Sequence, residues 1–559
     1  MAVVGDLRFS KIKGTKGDGD MAQKIMLLDC TLRDGAYIVD AKFGTAAMRG
    51  IIKHMQDAGA EIVECGWLKN AAHEVGTSFF HVPSDLEQYL VEHKDGVVYS
   101  AMIDWDRYDL SYLPPCDGKS INAIRVVFPH GKYKEGIEVG KGVREKGYRL
   151  FFQAANTLAY SDEDLDALAA AMNEVKPESL SVVDTFGAMF EDDLTRIVKR
   201  LDERLDKGIK LGFHSHNNQQ LSFALSMQFV RMLKDSGRDI VVDSSLCGMG
   251  RGAGNATTEL MASFLNRKCG KKYDLNLILD AIDVFMEYFL KNFSWGYSTP
   301  YFISGMYCTH VNNIAYLIDK HRTRAKDMNG IIESLPPAMR LKYDYDLLEQ
   351  KYLEHFRASI DDSAALEALK EKGKGRPVLM LCSGRAVLKE KEKVEKIIQE
   401  QQPVVVGVNA MFPEYRYDLC FFSNQTRYEY MMMDDLSSFG NVTRIVTSNV
   451  KTAPKGQEVI LDFNRLIKRG WKYFDNAGIL CLRMLAMLGV KEILIAGFDG
   501  FGLRFDENYA DPRMPSVNAD NDWDVVNENI AEMLQDFRAA DGRDAKLRFV
   551  TKSLFSRGE

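Results

Sequence analysis

Ile25-Met26-Leu27-Leu28-Asp29-Cys30-Thr31-Leu32-Arg33-Asp34-Gly35 sets an apolar run against a charged ending. A run of this kind reads as a buried strand that stops at a functional edge, and the chain repeats the pattern. Further strand candidates stand at Glu61 to Cys65, Val97 to Ile103, Ala123 to Phe128, Arg149 to Gln153, Leu180 to Val183, Lys210 to His214 and Ile240 to Ser244, with helical segments between them. Strands alternating with helices make parallel βα units, and eight is the number that closes a (β/α)8 TIM barrel.

In such a barrel the reactive groups sit at the C-terminal ends of the strands, where this sequence places its unusual residues. The first strand ends in Arg33-Asp34-Gly35 and the seventh in His214-Ser215-His216-Asn217-Asn218. The eighth runs into Gly248-Met249-Gly250-Arg251-Gly252-Ala253-Gly254-Asn255, a loop whose glycines let backbone approach a ligand. His214 and His216 are two apart on an extended segment, so both imidazoles project from one face and can bind one ion. Asp34 adds a carboxylate from a neighbouring strand end. Two nitrogens and one or two oxygens describe a catalytic metal site with open positions, suited to Mn2+ or Mg2+, with Zn2+, Fe2+ and Co2+ also compatible. Arg33 beside such an ion costs energy unless an anion, an enolate or carboxylate, lies between them.

Around this core the chain divides readily. Residues 1–22, rich in Gly, Lys and Asp, read as a flexible leader, 23–275 as the barrel and 276–345 as a helical cap with aromatic and Met-rich segments. Charge rises over 346–375, which reads as a linker. A second α/β pattern fills 376–559, with strand candidates at Val378 to Leu381, Val404 to Val408, Leu419 to Phe422, Thr443 to Val446, Ile493 to Ala496 and Leu547 to Val550. A Rossmann-like, doubly wound sheet fits it best.

The chain has 559 residues, a formal net charge of -7 and charges of both signs mixed along its length, so neither nucleic acid nor an anionic membrane is an expected partner. No stretch approaches the roughly 18 apolar residues of a membrane span. Nine cysteines without CxxC spacing read as reduced thiols, and the cytoplasm is the expected location. The apolar cap between Phe285 and Tyr316 offers a surface for a homodimer.

Together, the segment Leu28 to Gly35, the motif His214 to Asn218 and the run Ser245 to Asn255 resemble the three signatures of the DRE-TIM metallolyase superfamily. The Gly-rich run through Ala256 is most similar to that of 4-hydroxy-2-oxovalerate aldolases. The resemblance spans roughly residues 25–320. It implies cleavage or formation of a carbon-carbon bond between a 2-oxo acid such as pyruvate and an aldehyde, through an enolate, with Asp34, His214 and His216 as metal ligands and Arg33 on the enolate oxygen. Asn255 lines up with a loop Asn that reaches the metal in some relatives; capping the following helix is the equal alternative. The chain departs from the family at Tyr37, where the oxovalerate aldolases place a catalytic His. A phenol is a poor base at neutral pH, so Tyr37 serves as acid or hydrogen-bonder, or the base lies elsewhere, with Glu64, Asp184, His73 and a metal-bound water as candidates. Asn156 and Thr185 should line the same mouth, and Tyr297 and Tyr301 of the cap should reach over it. A Claisen-type acyl-CoA synthase or lyase and a non-enzymatic scaffold are the competing readings.

In the second domain, Val378 to Leu381 leading to Cys382-Ser383-Gly384-Arg385, and Asn476-Ala477-Gly478 opening a helix that leads to Ala496-Gly497-Phe498-Asp499, resemble pterin pyrophosphokinase-like and sialyltransferase-like domains of surface-polysaccharide genes. The resemblance implies a nucleotide or nucleotide-sugar held by Ser383, Gly384, Asn409, Asn424, Asn476 and Asp499, and an aldehyde that is sugar-derived. A phosphate is expected on the turn after Leu381. The same residues also read as turn and cap formers.

Overall fold

A computed structural model describes residues 23–556, apart from 91, 322, 357–359, 374, 434–440, 451–457, 503–507 and 512–521. The expected leader lies outside the described residues. The chain forms two units, residues 1–316 with 324–344, and 317–323 with 345–559.

In the first unit, eight parallel strands close on themselves: β1 (Ile25–Asp29), β2 (Ile62–Leu68), β3 (Val98–Asp104), β4 (Ala123–Phe128), β5 (Arg149–Ala154), β6 (Ser179–Asp184), β7 (Lys210–Ser215) and β8 (Ile240–Ser244). The seam is double: Leu28 and Asp29 of β1 pair with Ile62 and Val63, while Ile25 to Asp29 pair with Ile240 to Ser244. A two-residue strand, Phe79–Phe80, adds to β2 outside the barrel. Alternate residues face inward. The floor is a small apolar layer of Leu28, Ile62, Val98, Ala123, Phe151 and Val241. Two residues further along three of these strands the facing positions become Glu64, Arg125 and Asp243, each about 1% exposed. The floor excludes water, so charges above it must be paired with one another. The larger apolar cluster lies outside, between strands and surrounding helices, and includes Leu27, Val63, Ile124, Phe152 and Phe213.

Helices Thr258–Cys269, Leu275–Ala281, Glu287–Asn292 and Thr299–Met306 follow β8. The stretch read as a linker is helical instead, with helices Tyr345–Phe356 and Ser363–Gly373 assigned to the second unit. Its charge is the solvated face of helices: Leu366 and Leu369 are buried in the second core.

The second unit is a seven-stranded parallel sheet, β9 (Val378–Leu381), β10 (Val404–Val408), β11 (Leu419–Phe422), β12 (Thr443–Thr447), β13 (Glu458–Leu461), β14 (Glu492–Ala496) and β15 (Lys546–Phe549), in the order β13-β12-β11-β10-β9-β14-β15. Apolar clusters lie on both faces, which is why these strands read as continuous Val, Ile and Leu runs. The strand order reverses between β9 and β14.

Candidate active site

Asp29 fixes the turn that carries Arg33 and Asp34. Its carboxylate accepts from Thr31 N at 3.1 Å, Thr31 Oγ1 at 3.0 Å and Thr258 Oγ1 at 2.9 Å, tying the end of β1 to the helix after β8. A short helix, Thr31–Asp34, then turns Arg33 and Asp34 into the mouth. Trp67 Nε1 donates to Arg33 O at 3.1 Å and holds that turn against β2.

Asp34, His214 and His216 converge there, one ligand atom of each lying within 4.8 Å of the others, all buried. The His216 Nδ1 and Asp34 Oδ2 atoms are 3.7 Å apart and both lack a hydrogen-bond partner. His214 Nδ1 lies 3.1 Å from Asp243 Oδ2. With Nδ1 turned toward Asp243, though outside hydrogen-bond geometry, Nε2 is left for an ion. The donor set fits a divalent cation, and so does the charge: Arg33 and Arg125 stand against Asp34, Glu64 and Asp243, one negative charge in excess with the imidazoles neutral.

This charge set shapes the protonation states. Burial alone would raise the Asp34 pKa, but Arg33 and the two histidines hold it far below the usual carboxylate range. Burial pushes His216 down to about 4, so its ring is neutral and able to ligate. Asp243 is also lowered, with Arg125 and His214 outweighing the cost of burial. For Arg33, burial opposes the charge, yet Glu64 and Asp34 raise its pKa further.

Glu64 does not stand as a free base. Its Oε2 accepts from Arg33 Nε and from Arg125 Nη1, each at 2.7 Å, while Arg33 Nη1 donates to Asp34 Oδ1 at 2.5 Å and Arg125 Nη2 pairs with Asp243. Glu64 therefore aims Arg33. Asp184, buried and raised by that burial to about 7, is also committed: its oxygens accept from Ala188 N at 2.9 Å and Met189 N at 3.2 Å, shaping the turn after β6. His73 has both ring nitrogens engaged, with Phe79 O at 2.7 Å and Tyr89 Oη at 2.9 Å. Asp184 and His73 leave the set of expected bases because their acceptor atoms are spent on structure, and Glu64 because one oxygen carries two arginines, although its Oε1 is buried without a partner.

Tyr37 is 45% exposed as a residue, yet the burial of its hydroxyl surroundings raises its pKa, opposed by Arg251. That shift keeps the phenol protonated, which leaves it able to donate a hydrogen bond. Asn255 sits in the mouth: its Nδ2 lies 3.3 Å from Ser245 Oγ and 3.4 Å from Met249 O, and its Oδ1 is buried without a partner. The following helix starts at Thr258 with Thr257 as its N-cap, so the capping alternative for Asn255 falls away. Gly250 explains the loop. A Cβ there would stand 2.3 Å from Asn255 Nδ2 and 2.6 Å from Asp34 Oδ2. Asn218 holds the loop down by accepting from Ala253 N at 2.8 Å and donating to Phe186 O at 2.9 Å.

Asn156, in a left-handed conformation (φ 53, ψ 50), donates its N–H to Thr185 Oγ1 at 2.7 Å, so this pair joins the ends of β5 and β6. Tyr297 is 61% exposed, and Tyr301 lies in the first turn of its helix with its amide bonded to Ser298 Oγ. Trp295 of the cap meets the stretch that leads into the glycine loop, donating Nε1 to Cys247 O at 3.0 Å. A cavity of about 420 Å3 adjoins it, lined by Asn217, Cys247, Ala253, Asn255, Phe293 and Trp295. Arg125, Asp243 and Trp295 went unread in the sequence, although an Arg inside the apolar run Ala123–Phe128 is a visible signal.

In the second unit, Ser383, Gly384 and Asp499 follow the adjacent strands β9 and β14 and come together. Gly384 N donates to Gly497 O at 2.8 Å, and a Cβ on Gly384 would stand 2.6 Å from the Asp499 carboxyl carbon. The slot expected for a phosphate is filled from within, because Asp499 Oδ2 accepts from Ala386 N at 2.7 Å. Asn476 is an N-cap, accepting from Ile479 N at 3.2 Å, Asn409 accepts from Ser423 N at 3.0 Å, and Asn424 accepts from Arg427 N at 3.1 Å. For these three the turn-and-cap reading accounts for the side chains.

Residues 133–284 match the HMGL-like family model. Among curated relatives, a 4-hydroxy-2-oxovalerate aldolase of Thermomicrobium roseum is 29% identical over 251 residues, 43% of this chain and 66% of that protein. An oxaloacetate decarboxylase of Mycobacterium tuberculosis is 24% identical over 265 residues, 46% of this chain and 74% of that protein. Among solved structures, the HMG-CoA lyase of Brucella melitensis aligns with a TM-score of 0.37 and 16% identity, covering 48% of this chain and all of that one. Each of these three matches covers less than half of the chain.

Proposed function

From the premise that the N-terminal barrel is an HMGL-like domain of the DRE-TIM family, a metal-dependent carbon-carbon lyase with oxovalerate aldolases among its homologues, we propose that this enzyme joins or cleaves a 2-oxo acid such as pyruvate and an aldehyde. The observation that carries this reading is the buried convergence of Asp34, His214 and His216 beside the doubly anchored guanidinium of Arg33.

Asp34, His214 and His216 would hold Mn2+ or Mg2+, with Asn255 Oδ1 as a further oxygen. When bound, the cation supplies Lewis-acid polarisation of the 2-oxo group. Arg33, held by Glu64 and Asp34, meets the negative charge that grows on the 2-oxo oxygen. A preorganised donor of this kind is worth roughly 3–4 kcal/mol in the transition state. Tyr37 donates a proton or hydrogen bond at the mouth, and Asn156 and Thr185 shape the wall between β5 and β6. Cys247 O, Trp295 and the neighbouring cavity bound the side on which the cap lies.

In the second unit, a nucleotide or nucleotide-linked sugar at the edge where β9 and β14 diverge is supported by the reversal of strand order, since open α/β sheets bind ligands at such points. It would contact Ser383 and Gly384 rather than a free helix N-terminus. The reading of the aldehyde as sugar-derived rests on that ligand. A homodimer through the cap would cover the exposed Val284, Tyr288, Tyr297 and Phe302. Among the described residues no helix is long and apolar enough to cross a membrane.

The test is exchange of the methyl protons of pyruvate in D2O, read by NMR with metal added and removed. Exchange should require the metal and vanish in Arg33→Ala. Oxaloacetate belongs in the same assay, because loss of its carboxylate develops charge on the same oxygen. Absence of exchange or turnover with every 2-oxo acid tried sinks the proposal.

A further inference from the structure

Arg251 directly follows Gly250, whose backbone packs against the Asp34 carboxylate. Its guanidinium lies over the Tyr37 ring, with Cζ 4.8 Å from the ring centroid. Nη2 donates to Asn312 Oδ1 at 2.9 Å and lies 3.2 Å from His310 Nε2. Burial, together with Arg251 and Arg107, pushes His310 down to about 3, so its ring is neutral; its Nδ1 accepts from Asn312 N at 3.2 Å, which leaves the ring proton on the Nε2 that lies beside the guanidinium. Neither neighbour therefore neutralises the guanidinium, and among the described residues no carboxylate forms an ion pair with Arg251.

The neighbouring cations differ. Arg107 lies 3.9 Å from Asp106, and the charge of Asp104 raises its pKa further. Lys69 places its ammonium 3.4 Å from the Phe79 ring centroid, and burial lowers its pKa while the charge of Asp104 opposes that. Arg33 is spent on Asp34 and Glu64. Lys69, Arg107 and Arg251 all act on the single carboxylate of Asp104, and Arg251, partly buried, is in no ion pair of its own among the described residues; a partly desolvated cation that shares one carboxylate with two others costs free energy that a bound anion would offset. A purely structural tie between the loop and residues 310–312 would need a donor, not a charge.

We propose that Arg251 binds a carboxylate or phosphate on the aldehyde, so that the enzyme selects acceptors charged at the end remote from the carbonyl. This rests on the aldolase reading of the barrel. The 2-oxo acid meets Arg33, and the second anion meets a separate cation across the Tyr37 ring.

The metal-loaded protein is titrated by ligand-observed NMR with two matched pairs, glycolaldehyde phosphate against glycolaldehyde and succinic semialdehyde against butyraldehyde. The charged member of at least one pair should bind tenfold to a hundredfold more tightly, about the worth of one charge-assisted hydrogen bond. The pair that shows the gap identifies phosphate or carboxylate. Arg251→Gln, which keeps a donor for Asn312 and drops the charge, should close the gap, as should Arg251→Ala. No gap in either pair, or a gap unchanged in Arg251→Gln, overturns the proposal. Pyruvate exchange in the same wild-type preparation is read separately. Exchange without a gap overturns the anion site and leaves the aldolase reading intact, whereas a gap without exchange supports the anion site and removes the aldolase reading.

Discussion

Replacing Arg125 with Met tests whether the barrel interior is a balanced electrostatic set. Arg125 is 1% exposed and bonds Glu64 at 2.7 Å on one side and Asp243 on the other. Met fills most of the aliphatic stem, so the change is chiefly loss of charge. What remains is Arg33 against three carboxylates above a dry apolar floor. Removing one partner of a buried ion pair costs about 3–5 kcal/mol, most of it the penalty of the charge left behind. Urea unfolding of metal-free protein, followed by a probe in the barrel unit, should show a loss of that size. Adding Glu64→Gln returns the buried charge to its original excess, and the amide oxygen can still accept from Arg33 Nε, so about half the loss should return in the double variant. Saturating Mn2+ should stabilise Arg125→Met more than the wild type, because the ion enters a more negative cavity. A loss below about 1 kcal/mol, or a double variant no better than the single one, would refute the reasoning.

Three further outcomes follow from the same geometry. Gly250→Ala forces a methyl against Asp34 and Asn255 and should weaken Mn2+ binding by calorimetry about tenfold or more, the order of effect seen when groups supporting a metal site are disturbed; unchanged affinity would mean that the loop yields at no cost. Asn255→Ala should weaken Mn2+ similarly while changing thermal stability by less than about 1 kcal/mol, whereas a helix cap would show the reverse. Because burial pushes His216 down to about 4, protonation of that ligand should weaken Mn2+ binding only as pH approaches that value. Free Mn2+ by EPR reads this, and half-loss near 6.5 would show an imidazole as solvated as a free one. In metal-free protein the unfolded chain takes up a proton between about 4 and 6.5 that folded His216 refuses, so its contribution to stability rises with pH across that window.

The barrel was legible because its strands are bounded by polar ends and separated by helices, and all eight stand within a few residues of the expected runs. The residues that converge in the mouth, Asp34, His214 and His216, were legible because HxH on a strand and Arg-Asp after a strand are local patterns. What escaped depends on the third dimension. Asp243 acquires its meaning only when β8 lies beside His214, and Glu64 changed from base to anchor only once two arginines were seen to converge on one oxygen. Phe79–Phe80 and Glu458–Leu461 are short flanking pieces, the first outside the barrel and the second at the sheet edge, with little periodicity to read. In the second unit, Asp499 follows β14 by three residues and Asn476 opens a helix, and an Asn or Asp in such places serves backbone amides as readily as a ligand.

The double seam at β1 has a bearing on biogenesis. Asp34 enters the chain some 180 residues before His214, and the two meet only when the first strand pairs with the eighth, which itself lies beside the seventh. A nascent chain therefore has no triad to offer until the last barrel strand has left the ribosome and docked, and a half-built barrel has at most an HxH pair with weak affinity. Since folding must bring distant segments together before this contact rewards it, an ion held by the three residues would stabilise only the closed ring and not a half-built one.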